Sequence, residues 1–117
     1  MTDSKSDDHR PMWDSKIASE LSGAIVYVGI TYVDHEDKPT FRIEFYGLVT
    51  EVDESRGIAI DCHNDVHRGQ TFWLPPDLRA FHRAKPGNYK LESTGENLVD
   101  PDFTTKWIMT EPKDQPQ

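Results

Sequence analysis

A disulfide framework is excluded at the outset, because the 117 residues contain a single cysteine, Cys62, and one thiol cannot close an intrachain bridge. A small domain without such bridges points to a reducing cytoplasm. Long apolar runs are also missing. None approaches the ~20 residues that a membrane-spanning helix requires. Met1 to Arg10 is polar and acidic, unlike a secretion signal, so no membrane association is expected. Positive charge is scarce, with 13 Lys+Arg against 21 Asp+Glu and a formal net charge of -8. Such a surface repels nucleic-acid phosphates and anionic lipid at long range and favours a basic partner. Neither a glycine-rich phosphate cradle nor a nucleophile elbow is present, so no cofactor and no catalytic residue are expected.

The chain has the length of one ordinary domain. Hydrophobic residues make up 35% of it and charged residues 29%, a mixture that suits a globule with polar ends. Residues 1–11 carry almost no apolar side chain and residues 111–117 carry none. Both stretches are expected to be disordered tails, leaving 12–110 as a single β domain.

Within that domain, Trp13, Ile17 and Leu21 recur at a spacing of four. They predict one short helix over Met12 to Ser22, with Gly23 at its end. Ala24 to Val33 (AIVYVGITYV) is apolar on both phases, as a central strand would be. His35 to Pro39 is a polar turn. From Thr40 to Val52, Phe41, Ile43 and Phe45 share one phase. Leu48 and Val52 then take the other, which places a bend or bulge at Gly47. Further strands are expected at Ile58 to Cys62, Gln70 to Leu74, Tyr89 to Ser93 and Phe103 to Met109. A short turn or strand is expected at Leu78 to Arg83. Pro75 and Pro76 stop the strand before them, since proline cannot donate to a ladder.

Six short strands with close turn signals indicate a mainly-β small barrel or curled sheet. The stretch FYGLVTEVDESRGIAIDC resembles the bent second strand, turn and return strand of SH3-like and Sm-like small barrels, over about residues 24–83. The resemblance implies such a barrel, elaborated by a C-terminal β-hairpin and the short N-terminal helix. It implies no activity. LPPDLRAF, PGNYKLESTGE and PDFTTKW together resemble an uncharacterised bacterial protein family. DESRGI is similar to an element of cyclic-di-nucleotide-binding PilZ barrels, but Gly57 follows Ser55 one residue too soon. Only Arg42 stands where that family has an arginine pair.

Three surfaces are candidates for function. Trp73 takes the phase opposite to Phe72 and Leu74, so it either anchors a protein partner together with Pro75, Pro76 and Asp77 or is covered by Trp13 or Ile17 of the helix. Covering is the favoured expectation. Arg79, Arg83 and Lys85 form the most basic run, with Phe81 and His82 interleaved, the composition of a single-stranded RNA site. The overall negative charge counts against nucleic acid there. Asp61, His63 and His67 in DCHNDVHRG are of metal-ligating type, while Cys62 falls on the inward phase with Ile58 and Ile60. The first functional expectation is therefore a non-catalytic protein-interaction module, one version being an acidic inhibitor or immunity-type protein. The alternatives are a metal-binding protein or metal-dependent enzyme using Asp61, His63 and His67, and an RNA-binding Sm-like barrel. Exposed strand edges would also allow a homodimer.

Overall fold

Asp14 starts the only α-helix among the described residues. The computed structural model describes residues 13–111. The Asp14 carboxylate accepts from the amides of Lys16 and Ile17 at 3.0 and 3.1 Å. These bonds satisfy N–H groups that have no partner inside a helix. The helix that follows, α1 (Ser15–Leu21), is too short to persist by itself. Packing holds it: Leu21 is fully buried, and Trp13, Ile17 and Ala18 lie against the same core. Gly23, at φ +82°, then turns the chain. Its amide donates to the Val49 carbonyl, and the Val49 amide donates back to Ala24.

The described residues are mainly β, with this one short α-helix. β1 (Ile25–Val33), β2 (Pro39–Asp53), β3 (Gly57–Cys62), β4 (Thr71–Leu74), β5 (Phe81–Arg83) and β8 (Phe103–Thr110) form one sheet, in the order β4-β3-β2-β1-β8-β5. β1 is central, as its two-sided apolarity predicts. It pairs antiparallel with β2 and parallel with β8. The inner face carries Val26, Val28, Ile30, Phe45, Val49, Ile58, Ile60 and Leu74, each 0–1% exposed, beneath α1. Each of the larger ones contributes roughly 2 kcal/mol by leaving water. Phe41 shares their phase but lies at the end of the ribbon. It is 52% exposed and stacks on Tyr32 at 4.6 Å.

The expected bend at Gly47 is not where the ladder shifts. Gly47 pairs in register with Val26 on one side and Cys62 on the other. The inward phase continues through it, from Phe45 to Val49. The bulge lies one turn of the pleat later, between Val49 and Glu51, with Thr50 the extra residue. Beyond it Val52 turns inward and Glu51 turns outward, the face exchange that one inserted residue enforces. Gly47 has a different cause. A Cβ there would lie 2.1 Å from the Asp61 carbonyl oxygen, so only glycine permits the approach of β3.

The C-terminal hairpin joins β6 (Asn88–Lys90) to β7 (Asn97–Val99). Phe103–Thr110 does not pair with the 89–93 region and enters the main sheet instead. The hairpin covers part of the outer sheet face, where Leu91 and Leu98 bury Tyr27. Glu111, placed in the C-terminal tail by the sequence, donates its amide to Val33. The remainder of both expected tails, and Met12 of the expected helix, lie outside the described residues.

Candidate functional site

The outer face holds one row that the Thr50 bulge creates. Glu51 pairs across β2 and β3 with Ala59, and Ala59 pairs across β3 and β4 with Trp73. A carboxylate and an indole therefore flank a methyl group. Arg56 lies over this row. Its guanidinium carbon is 4.8 Å from the centre of the Trp73 ring, and its Nη1 donates to the Glu51 carboxylate at 2.6 Å. The turn fixes Arg56 there. Asp53 accepts from the amides of Arg56 and Ser55 at 2.8 and 2.7 Å, and these bonds hold its carboxyl below the usual range. Gly57, at φ +112°, brings the turn so close to β4 that a Cβ would lie 2.2 Å from the Leu74 carbonyl oxygen.

Trp73 is 40% exposed, which overturns the expectation that the helix covers it. α1, Trp13 and Ile17 pack on the opposite sheet face. Trp73 also stands on an end strand. Antiparallel partners alternate between bonded and non-bonded pairs, and Cys62 donates to the Gln70 carbonyl at 2.9 Å. With β3 and β4 in unbroken register, Phe72 and Leu74 direct their amides and carbonyls at β3, while Thr71 and Trp73 direct theirs outward. Among the described residues, no strand pairs with that edge. Pro75 and Pro76 end its donor series.

Of the predicted rim, Pro75 is exposed and Pro76 and Asp77 are half-buried. Asp77 is committed locally. It accepts from the Arg79 backbone and, through both oxygens, from the Arg79 guanidinium at 2.9 and 3.0 Å. The guanidinium bonds hold its carboxyl low. In the basic run, Arg79 is thus neutralised by Asp77, and Arg83 is bonded to Glu20 with its guanidinium over Phe103. Lys85 is exposed. Arg42, Arg56 and Arg68 are likewise paired, with Glu44, Glu51 and Asp65.

The candidate metal ligands do not converge as three. His63 Nε2 lies 3.6 Å from Asp61, but His67 sets its ring edge-on to Phe45 at 6.0 Å. Among the described residues, no three His, Cys, Asp or Glu side chains are grouped to hold a metal ion. Cys62 is buried, and burial, then the Asp61 charge, pushes its thiol up to about 11. It carries little thiolate near neutral pH.

A second outer-face cluster, unmarked in the sequence, lies under the hairpin. Glu44 is 2% exposed. It accepts from the Tyr27 hydroxyl at 2.5 Å and from the Ser93 amide at 2.8 Å, with the Arg42 guanidinium 3.5 Å away. Burial pushes the Glu44 carboxyl up. The bonds from Tyr27 and Ser93, with the Arg42 charge, outweigh that effect and hold it below its usual range. The only hint in the sequence is its position on the polar phase of β2, between Ile43 and Phe45.

Comparison with known protein families, with curated proteins and with solved structures returns no match to this chain.

Proposed function

We propose that this chain is a non-catalytic protein-interaction module that takes an extended segment of a protein partner onto the edge of β4. The carrying observation is the exposed Trp73 ring on a strand whose outward amides and carbonyls at Thr71 and Trp73 have no described partner. Extended segments join such edges through main-chain bonds, and alternate side chains supply selectivity. Trp73 serves as the anchor. Tryptophan is enriched among residues that dominate binding energy. Pro75, Pro76 and Asp77 form the rim. The net charge of -8 favours a basic partner, consistent with an acidic inhibitor-type protein, and disfavours a second copy of the same chain. Three buried ionisable groups also support a non-catalytic reading: Glu44 and Tyr27 are occupied in holding the hairpin, and the buried Cys62 thiol is pushed up to about 11.

Affinity capture from cells of its own species, using the full chain and Trp73→Ala in parallel, tests this. The expected result is a protein retained by the unaltered chain and weakened at least about tenfold by Trp73→Ala, with unchanged circular dichroism. Equal retention by both forms would remove Trp73 from the site. Recovery of no partner would remove the module itself.

A further inference from the structure

Arg56 shows what the outer face of this edge accepts. Its guanidinium simultaneously touches a carboxylate, Glu51, and lies over an indole, Trp73. Both the Glu51 and Arg56 side chains remain substantially in water, at 40% and 61% exposure. Exposed ion pairs and exposed cation–π contacts are individually weak. Arg56 is therefore displaceable by another cation offered at the same place, at little cost to the fold. Ala59 matters to this arrangement. Standing between Glu51 and Trp73 in register, its methyl group leaves a flat shelf that a larger side chain would fill.

From these contacts we infer that Glu51, Ala59 and Trp73 form an arginine-reading slot, which Arg56 occupies in cis until an arginine of the partner segment replaces it. This rests on the edge-binding reading above and names the chemistry of the residue read. Side chains of an added strand alternate between faces. The partner residue directly opposite Trp73 thus shares the outer face, with its Cβ about 5 Å from that of Trp73. An arginine side chain spans that gap to the indole. The guanidinium suits the slot better than an ammonium, because its plane stacks on the ring while an edge N–H reaches the carboxylate. Main-chain pairing supplies the docking, and the slot selects which segment docks. The local charge agrees. Glu51 belongs to the row, Asp61 stands two residues along β3 from Ala59 on the same face, and Asp53 and Glu54 lie at the adjoining turn, so a cation that displaces Arg56 enters an acidic field.

The test uses the full chain labelled with 15N and two blocked seven-residue peptides of alternating threonine and valine. One has a central arginine and the other has glutamine in its place. Amide shifts of Thr71 and Trp73 report edge pairing. The Trp73 indole N–H reports the slot. Removing the competitor by Arg56→Ala is expected to tighten the arginine peptide about fivefold and to leave the glutamine peptide unchanged. Adding Glu51→Gln to that variant is expected to reverse most of the gain. Arg56→Gln, which keeps much of the side-chain stem, is expected to behave as Arg56→Ala does. Equal affinity of Arg56→Ala for both peptides would overturn the slot while leaving the edge reading in place. No amide shift at Thr71 and Trp73 with either peptide would overturn both.

Discussion

Two arginine–glutamate–aromatic clusters stand on the same outer face of one sheet, and they differ chiefly in water. Arg42, Glu44 and Tyr27 lie where the β6–β7 hairpin covers the sheet, with Glu44 at 2% exposure. Arg56, Glu51 and Trp73 lie at the uncovered end, with Trp73 at 40%. The residue types are nearly the same, so the environment assigns the roles. In the covered cluster every acceptor is committed, and losing one partner strands the others in a dry site. In the open cluster water replaces any lost partner, and the contacts can be exchanged for those of another molecule.

Breaking the covered cluster should have the largest effect. Glu44→Ala leaves the Tyr27 hydroxyl without its acceptor and the Ser93 amide without its cap. The expected loss is about 3 kcal/mol of stability, read as a lower denaturant midpoint, with the hairpin amides of 88–99 losing hydrogen-exchange protection first. Tyr27→Phe keeps the ring and removes one bond to a charged group. About 1.5 kcal/mol is the expected cost.

The pH dependence sharpens the same contrast from both sides. Burial, then the bond to Glu44, raises the Tyr27 hydroxyl to about 12. Because its folded pKa lies above the unfolded value, its stabilisation is complete below about pH 10 and is lost as pH climbs toward 12. Glu44 has the opposite sign. Its folded pKa is depressed, so its contribution is complete above the usual carboxyl range and is lost as pH falls through the lower folded value. Chemical denaturation across pH should therefore show an alkaline destabilisation that Tyr27→Phe reduces above about pH 10, leaving the part that the buried Cys62 thiol, raised to about 11, contributes. An unchanged alkaline limb in that variant would contradict the burial of the hydroxyl. The smallest effect is expected in the open cluster. Arg56→Ala should change stability by less than about 1 kcal/mol in the same denaturation series, and a loss comparable to that of Glu44→Ala would erase the distinction between the clusters.

Strand positions were readable because β-branched runs are bounded by glycine, proline and Asx turns. The phase of Gln70 to Leu74 was enough to turn Trp73 away from Phe72 and Leu74. The face change in β2 is visible too, but the apolar Leu48 makes it look as if it starts at Gly47. Leu48 stands opposite Ile25 on the half-buried outer face, where apolar character does not mark the core. Val49, 1% exposed, continues the inward phase, and Thr50 carries the change. The apolar character of Trp13 and Ile17 predicts that the helix covers something but does not say on which side of a sheet it packs. The Glu44 cluster was hidden for another reason. Its burial depends on a hairpin whose strands are three residues each, too short to leave a periodic signal. Nor did any local pattern announce that Phe103–Thr110 would run parallel to β1, since that pairing is decided by the whole sheet.

That parallel pairing has a consequence for how the molecule is made. β8 separates β1 from β5, and β1 meets its second neighbour only after residue 103 has been synthesised. A ribosome-bound chain halted before that point can zip β1, β2, β3 and β4 together in order, each beside the one before it. It must nevertheless hold one flank of its most apolar strand unpaired, and β5 without a neighbour, until the final segment arrives. Closing so distant a contact slows folding and leaves the unpaired flank open to wrong partners until it closes, so among the described strands β8 is the one that completes the sheet.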